Sequence, residues 1–378
     1  MSEILELIGD NSLALPICWS WSDDPIEVMQ NRMDQFIRTI ESAPTGLLSQ
    51  SLIDSAKRTS SDLMHAFEYA MQGNVVRSHE VFSGAMQCLK SRLPVESESS
   101  FGIDTSKGTR LAFRARTTSK RNLDKNELFH IPFEKRFRVA SERFSVPGSP
   151  CLYLAGSIYT CWEEMNRPPF HSLSISAFWI ESEVKYLDLR QTPAVILTNT
   201  KEYLWRNRQE EFESYLIKKL NEIVEIWPLM AMCMMQVSEP NGNYKPEYII
   251  PQMVLQWVAL EKNLDGVGYA SCHVKPSSPN SKGLLSNYAF PVKRYNSKGR
   301  CAELCNQFRM TNPVNWASLA AMDLHVGKDV NDYDIEIDEG IISDARETEY
   351  GKIERALVAL VTRIKQGNLQ NDGKVSRL

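Results

Sequence analysis

Between Glu142 and Glu164 the chain reads ERFSVPGSPCLYLAGSIYTCWEE, and this stretch leaves few options for its local fold. Arg143 precedes a Pro147-Gly148 turn, and Cys151 to Ala155 is an apolar run of strand length and strand composition. Gly156-Ser157 then punctuates the chain, with Ser157 suited to cap a helix. That helix carries Trp162, Glu163 and Glu164 before Pro168-Pro169 stops it. Arginine, turn, strand, helix and acid follow one another. The order can set a cation and a carboxylate around the end of one strand, where a phosphate-bearing ligand suits both.

A chain of 378 residues accommodates one large domain or two. Its 43% hydrophobic and 24% charged residues are those of a globular protein that can bury its own core. The net charge of -4 gives no electrostatic reason to expect nucleic acid as a partner, the cluster Lys135-Arg136-Phe137-Arg138 notwithstanding. The eight cysteines are scattered, and only Cys301 and Cys305 lie close together, with His273 the one tempting addition. A zinc site needs a fuller set, so no metal is expected and the thiols read as structural groups in a reducing cytosol. The first residues lack the pattern of a signal peptide, and no run of about 18 apolar residues is present. A cytoplasmic protein without membrane contact is the expectation.

Along the chain, Ile26, Met29, Met33, Phe36, Ile37 and Ile40 recur at helical spacing, as do Leu63, Met64, Phe67 and Met71, and then Phe82, Met86 and Leu89. These predict an N-terminal helical region. Glu96 to Gly108 reads as a linker or loop. Thr109 to Thr117 alternates as a strand, with Leu111, Phe113 and Ala115 on one side and Arg114 and Arg116 on the other. His130 reads as a hydrogen-bonded structural histidine. Further strands are predicted at Ser174 to Ile180, Tyr186 to Leu189, Val267 to Ser271 and Asn287 to Lys293. Helices are predicted around Glu202 to Val224, with Tyr203 on its apolar side, from Pro251 at a first helical position to Leu260, and at Ile353 to Ile364. Tyr333 to Ile337 is an expected edge strand.

Several of these pieces resemble the RES-domain family. Phe113-Arg114-Ala115-Arg116 matches its first arginine, Arg143-Phe144 its Arg-aromatic pair, and Tyr153-Leu154-Ala155-Gly156-Ser157 its Tyr-Leu-Ala-x-Ser element. Glu164 stands at the family's interval after Tyr153, and Gly266 to Ser271 matches its Gly-x-x-Tyr-x-Ser segment. The resemblance covers about residues 105 to 295. It implies an α+β fold, with an ADP-ribosyltransferase-like mixed β core at 101–300. The helical region 1–100 and a C-terminal extension, 301–378, expected to pack on that core, lie outside the resemblance. It further implies an enzyme that consumes NAD, by hydrolysis or phosphorolysis at the nicotinamide-ribose bond, as a bacterial toxin or phage-defence effector. Transfer of ADP-ribose to a protein is the alternative activity, and a nucleotide-binding module without turnover the alternative of another class. An antitoxin or regulatory protein on the N-terminal helices, and self-association, are the partner expectations.

On that resemblance Glu164, Arg114 and Ser271 carry catalysis, while Arg114, Arg143, Tyr153, Ser157 and Tyr269 contact NAD. Cleavage passes through an oxocarbenium-like ribose, which a nearby carboxylate stabilises more than the ground state. Guanidinium groups suit the two phosphates. Ser271 orients substrate or Glu164, since no histidine is placed to activate it as a nucleophile. Glu163 competes with Glu164, and Arg116 with Arg114, on residue type alone.

Overall fold

The computed structural model describes residues 2–104, 109–119, 123–206, 209–239, 242–272, 285–316, 334–338, 341–344 and 348–367. In chain order the helices are α1 (Ser2–Ile8), α2 (Pro25–Glu41), α3 (Gln50–Met71), α4 (Val75–Leu89), α5 (Ile158–Glu164), α6 (Pro193–Arg206), α7 (Gln209–Cys233), α8 (Ile249–Leu260), α9 (Ala302–Gln307) and α10 (Glu349–Lys365). The strands are β1 (Ile17–Trp19), β2 (Val95–Ser97), β3 (Ile103–Asp104), β4 (Arg110–Thr117), β5 (Cys151–Ala155), β6 (Leu173–Ile180), β7 (Lys185–Leu189), β8 (Met235–Val237), β9 (Gly266–Ala270), β10 (Ser286–Pro291), β11 (Phe308–Met310), β12 (Val314–Asn315), β13 (Asp334–Asp338) and β14 (Ile341–Asp344). The fold is mixed α+β, with helices first and a mixed sheet after them. The chain separates into two compact units.

One unit, Met1–Pro94 with Glu142–Phe144 and Gln191–Trp257, is mainly helical. Asp24 caps α2 by accepting from the Ile26 amide, and Pro25 occupies the first turn, where its missing N–H costs nothing. Met29, Met33, Phe36 and Ile40 then fall on one face and are buried. Phe36 stacks on Trp227 of α7 at 4.2 Å between ring centres. Gly73, with φ of +78°, ends α3 in the left-handed conformation, and Asn74 caps α4. A buried hydrogen bond ties α3 to α7, where Ser55 donates to Glu225 at 2.9 Å, and the exposed Arg92 pairs with the same carboxylate at 2.7 Å. The polar helix expected around Glu202 to Val224 falls on α6 and α7. The second continues through the apolar run that follows, with Pro228 inside it. The side chain of Tyr203 lies outside the described residues. Helix α8 opens at Ile249, so Pro251 is its third residue and not its first.

The other unit, Val95–Ser141 with Ser145–Arg190 and Val258–Leu378, is built on a ten-stranded sheet. Its order is β11-β6-β4-β5-β10-β9-β7-β2, with β12 beside β6 and β3 beside β4. The β7–β9 pair is parallel and the other pairs are antiparallel. Strand β4 pairs with β6 over six residues but meets β5 at one pair alone, Phe113 with Ala155. Beyond that pair the two strands part. One apolar cluster gathers Phe113, Ala155, Ile175 and Ala177 under α5 and α10. A second gathers Leu152, Leu154, Phe178, Tyr288 and Phe290 with Leu304 and Cys305 of α9. The stretch 96–108, expected to be a linker, contributes β2 and β3 to this unit. Gly102 is required there: at its φ of +54° an added Cβ would sit 1.8 Å from the Leu111 carbonyl oxygen. Strand β13 begins at Asp334, so Tyr333, expected to open it, lies outside the described residues, as does His273.

Candidate functional site

The site grows from the predicted strand–turn–helix. Ser157 caps α5 by accepting from the Thr160 amide at 3.0 Å, and its hydroxyl bonds that of Thr160 at 2.9 Å. It is wholly buried. The helix runs seven residues and ends on Glu164. There the Glu164 Oε1 accepts two hydrogen bonds of 2.7 Å, one from the Ser271 hydroxyl and one from the Asn287 side-chain amide. Ser271 follows β9, and Asn287 stands on β10, the strand between β5 and β9, in register with Ala155 on one side and Tyr269 on the other. The Ser271 amide donates to Leu285 and the Gly156 amide to Ser286, which holds the ends of these strands together. An acid and a serine 107 positions apart in sequence therefore meet. Asn287 was not legible as part of the site: it sits in the apolar run NYAFP, and its one signal is that it is polar and buried there.

Glu163 turns elsewhere. Its Oε2 accepts from Arg167 Nε at 3.0 Å, and the Arg167 guanidinium lies over Trp162 at 5.2 Å. Asn166 and Arg167 both have positive φ, 58° and 52°, which costs about 1–2 kcal/mol per residue for a side chain of this kind. The ion pair and the ring contact hold the chain in that turn directly after Glu164.

Arg114 donates from Nη1 to the Tyr153 carbonyl at 2.7 Å, at the place where β4 leaves β5 and the ladder ends. Its Nε is buried with no hydrogen-bond partner among the described residues. Burial lowers its pKa from the ordinary arginine value. Arg116, by contrast, is exposed and donates to the Glu127 carbonyl at 3.0 Å. Tyr153 donates its hydroxyl to Ser145 at 3.0 Å, and Tyr269 is buried on β9. The Cys161 thiol, on α5, reports on the neighbourhood: burial pushes its pKa up to about 12, Arg114 pulls it down and Glu164 raises it further. Arg114 and Glu164 thus both act on one buried atom. Arg143 belongs to the helical unit, where it donates to the carbonyls of Cys233 and Met235 at 3.2 and 2.8 Å and lies 5.3 Å over the Tyr248 ring.

His130 is a satisfied core residue, as its sequence context suggests. Its Nε2 accepts from the Cys301 amide at 2.9 Å, which leaves Nδ1 to donate to the Ile131 carbonyl at 2.8 Å. Both bonds need the neutral ring, and burial brings its pKa down to about 4. None of the eight cysteines forms a disulfide. Among the described residues no cluster of three or more His, Cys, Asp or Glu is arranged to hold a metal ion, and no helix is long and apolar enough to cross a membrane.

Fold and site together define an α+β protein whose mixed sheet carries a hydrogen-bonded carboxylate at the strand ends. A Bacillus subtilis (strain 168) protein described as "Putative toxin YopC" is similar to it, 29% identical over 356 residues, with 91% of this chain and 78% of that protein covered. No protein-family model matches the sequence. No solved structure matches it either.

Proposed function

We propose that this chain is an NAD-consuming enzyme of toxin type that breaks the nicotinamide-ribose bond, with Glu164 as the catalytic carboxylate. The observation that carries this reading is the convergence of Ser271 and Asn287 on one Glu164 oxygen at 2.7 Å each. The RES-like motif order and the toxin description of the similar protein support it.

The chemistry follows from what the groups are. As the bond to nicotinamide stretches, the ribose gains positive charge, and a fixed carboxylate lowers the energy of that state more than of bound NAD. Ser271 and Asn287 are neutral donors. They set the direction of the carboxylate. Nicotinamide leaves as a neutral base, so no strong general acid is needed. Arg114, half-buried beside Tyr153, is the guanidinium for a phosphate, and Tyr153 and Tyr269 are the rings for the base or ribose. Ser157 is the residue that fixes the start of the site helix.

The test is to incubate purified protein with NAD, with and without phosphate, and to identify products by mass. Nicotinamide with ADP-ribose, or with its 1-phosphate, supports the reading. Label from NAD appearing on a protein redirects the acceptor. NAD left intact, or consumed equally by Glu164→Gln, removes it.

A further inference from the structure

We infer that Glu354, in the C-terminal helix α10, is a positioning residue for the reaction proposed at Glu164. The inference rests on that reading. Glu354 has no exposed surface. Burying a carboxylate costs several kcal/mol unless bonds replace its water. One such bond runs from the Ile158 amide to its Oε1 at 2.7 Å. Ile158 is the first residue of α5 and Glu164 the last, so this carboxylate grips the site helix at the end opposite the catalytic acid.

A helix of seven residues does not hold itself in water, and its placement has to come from its neighbours. Ser157 supplies one local cap. The rest comes from α10. The Tyr350 ring meets Tyr159 and Trp162, each at 5.6 Å between centres. Ile353, Leu357, Val358 and Val361 share an apolar cluster with Ile158, Tyr159 and Cys161. The charge of Glu354 reaches into α5, where it acts on the Cys161 thiol. A negative group at a helix start also complements the unpaired amides there. Apolar packing alone allows a short helix to slide or turn; a directed bond to its first amide fixes both. A catalytic group needs placement within about 0.5 Å, which is the order of error such a slip would introduce.

The test separates reach from charge. Glu354→Gln keeps an acceptor at the same reach. Glu354→Asp keeps the charge and withdraws it by one methylene. With NAD, Glu354→Gln is expected to retain kcat within about threefold. Glu354→Asp is expected to lose about tenfold in kcat with KM within about twofold, the signature of a misplaced catalytic group. Hydrogen exchange of a peptide spanning 157–164 should rise in Glu354→Asp while one spanning 173–180 does not change. The opposite ranking, two variants equal to wild type, kcat and KM rising and falling together, or unchanged exchange over 157–164 overturns the inference. Failure of Glu354→Asp to fold assigns the carboxylate to global stability and overturns it too. Wild-type protein that leaves NAD intact removes the proposed function instead, and the exchange measurement then decides the inference by itself.

Discussion

Two polar arrangements on the same sheet invite comparison. Around Arg190 the bonding closes on itself. Asp188 receives its guanidinium at 2.7 and 3.0 Å, and Tyr288 and the Ser100 carbonyl take two more bonds at 2.7 and 2.8 Å. Burial pulls this arginine down, but Tyr288 and Asp188 outweigh it and hold its pKa well above the ordinary value. Around Glu164 the named donors are a hydroxyl and an amide, and neither carries charge. The first arrangement has opposite charges matched and buried, which is how an ion pair becomes part of a core. The second holds one carboxylate oxygen between two neutral donors. Buried polarity alone therefore does not mark a functional site.

Substitutions should separate the two. Glu164→Gln is expected to lower NAD turnover by about 10³-fold or more, with thermal stability within a few degrees of wild type. Asp188→Ala should instead destabilise the fold by about 3–5 kcal/mol, seen in urea unfolding, because it strands a buried guanidinium. Acid gives the next effect. The folded-state pKa of His130 is about 4, below its unfolded value of about 6.5, so the contribution of the neutral ring is complete above pH 6.5. As pH falls from there towards 4 the unfolded chain takes up the proton first, and about 3 kcal/mol of stability is lost. Urea unfolding from pH 7 to pH 4 should show this loss, and a variant with Asn at 130 should not. Asn287→Leu should cost about tenfold in kcat, since Ser271 still holds the acid. Glu163→Gln should change kcat less than about twofold. A large effect there would shift the catalytic acid by one residue and dissolve the contrast.

Much of the fold was legible. The periodic methionines and phenylalanines gave α2, α3 and α4, because a single buried face imposes its period on the chain. Strands β4, β5, β6, β7, β9 and β10 were likewise readable as short apolar runs between turn residues. The order of the strands was not, since neither the β4–β5 parting nor the placement of β10 between β5 and β9 leaves a local trace. The stretch 96–108 misled because Ser and Gly dominate it, although its few apolar residues, Phe101 and Ile103, are buried. At the candidate site, the resemblance singles out Glu164 and Ser271, and the fold brings those two together. Asn287 and Glu354 were not singled out for one reason: each bonds a residue more than a hundred positions away. Composition around them records only burial.

The interleaving of the units has a consequence for synthesis. The helical unit draws on residues as late as Trp257 and the sheet unit on α10, so neither can be finished when the first ninety-four residues leave the ribosome. The strand, the site helix and its acid emerge early, yet the carboxylate that caps that helix emerges 196 residues after the amide it binds. A nascent or truncated chain would carry the acid without its support.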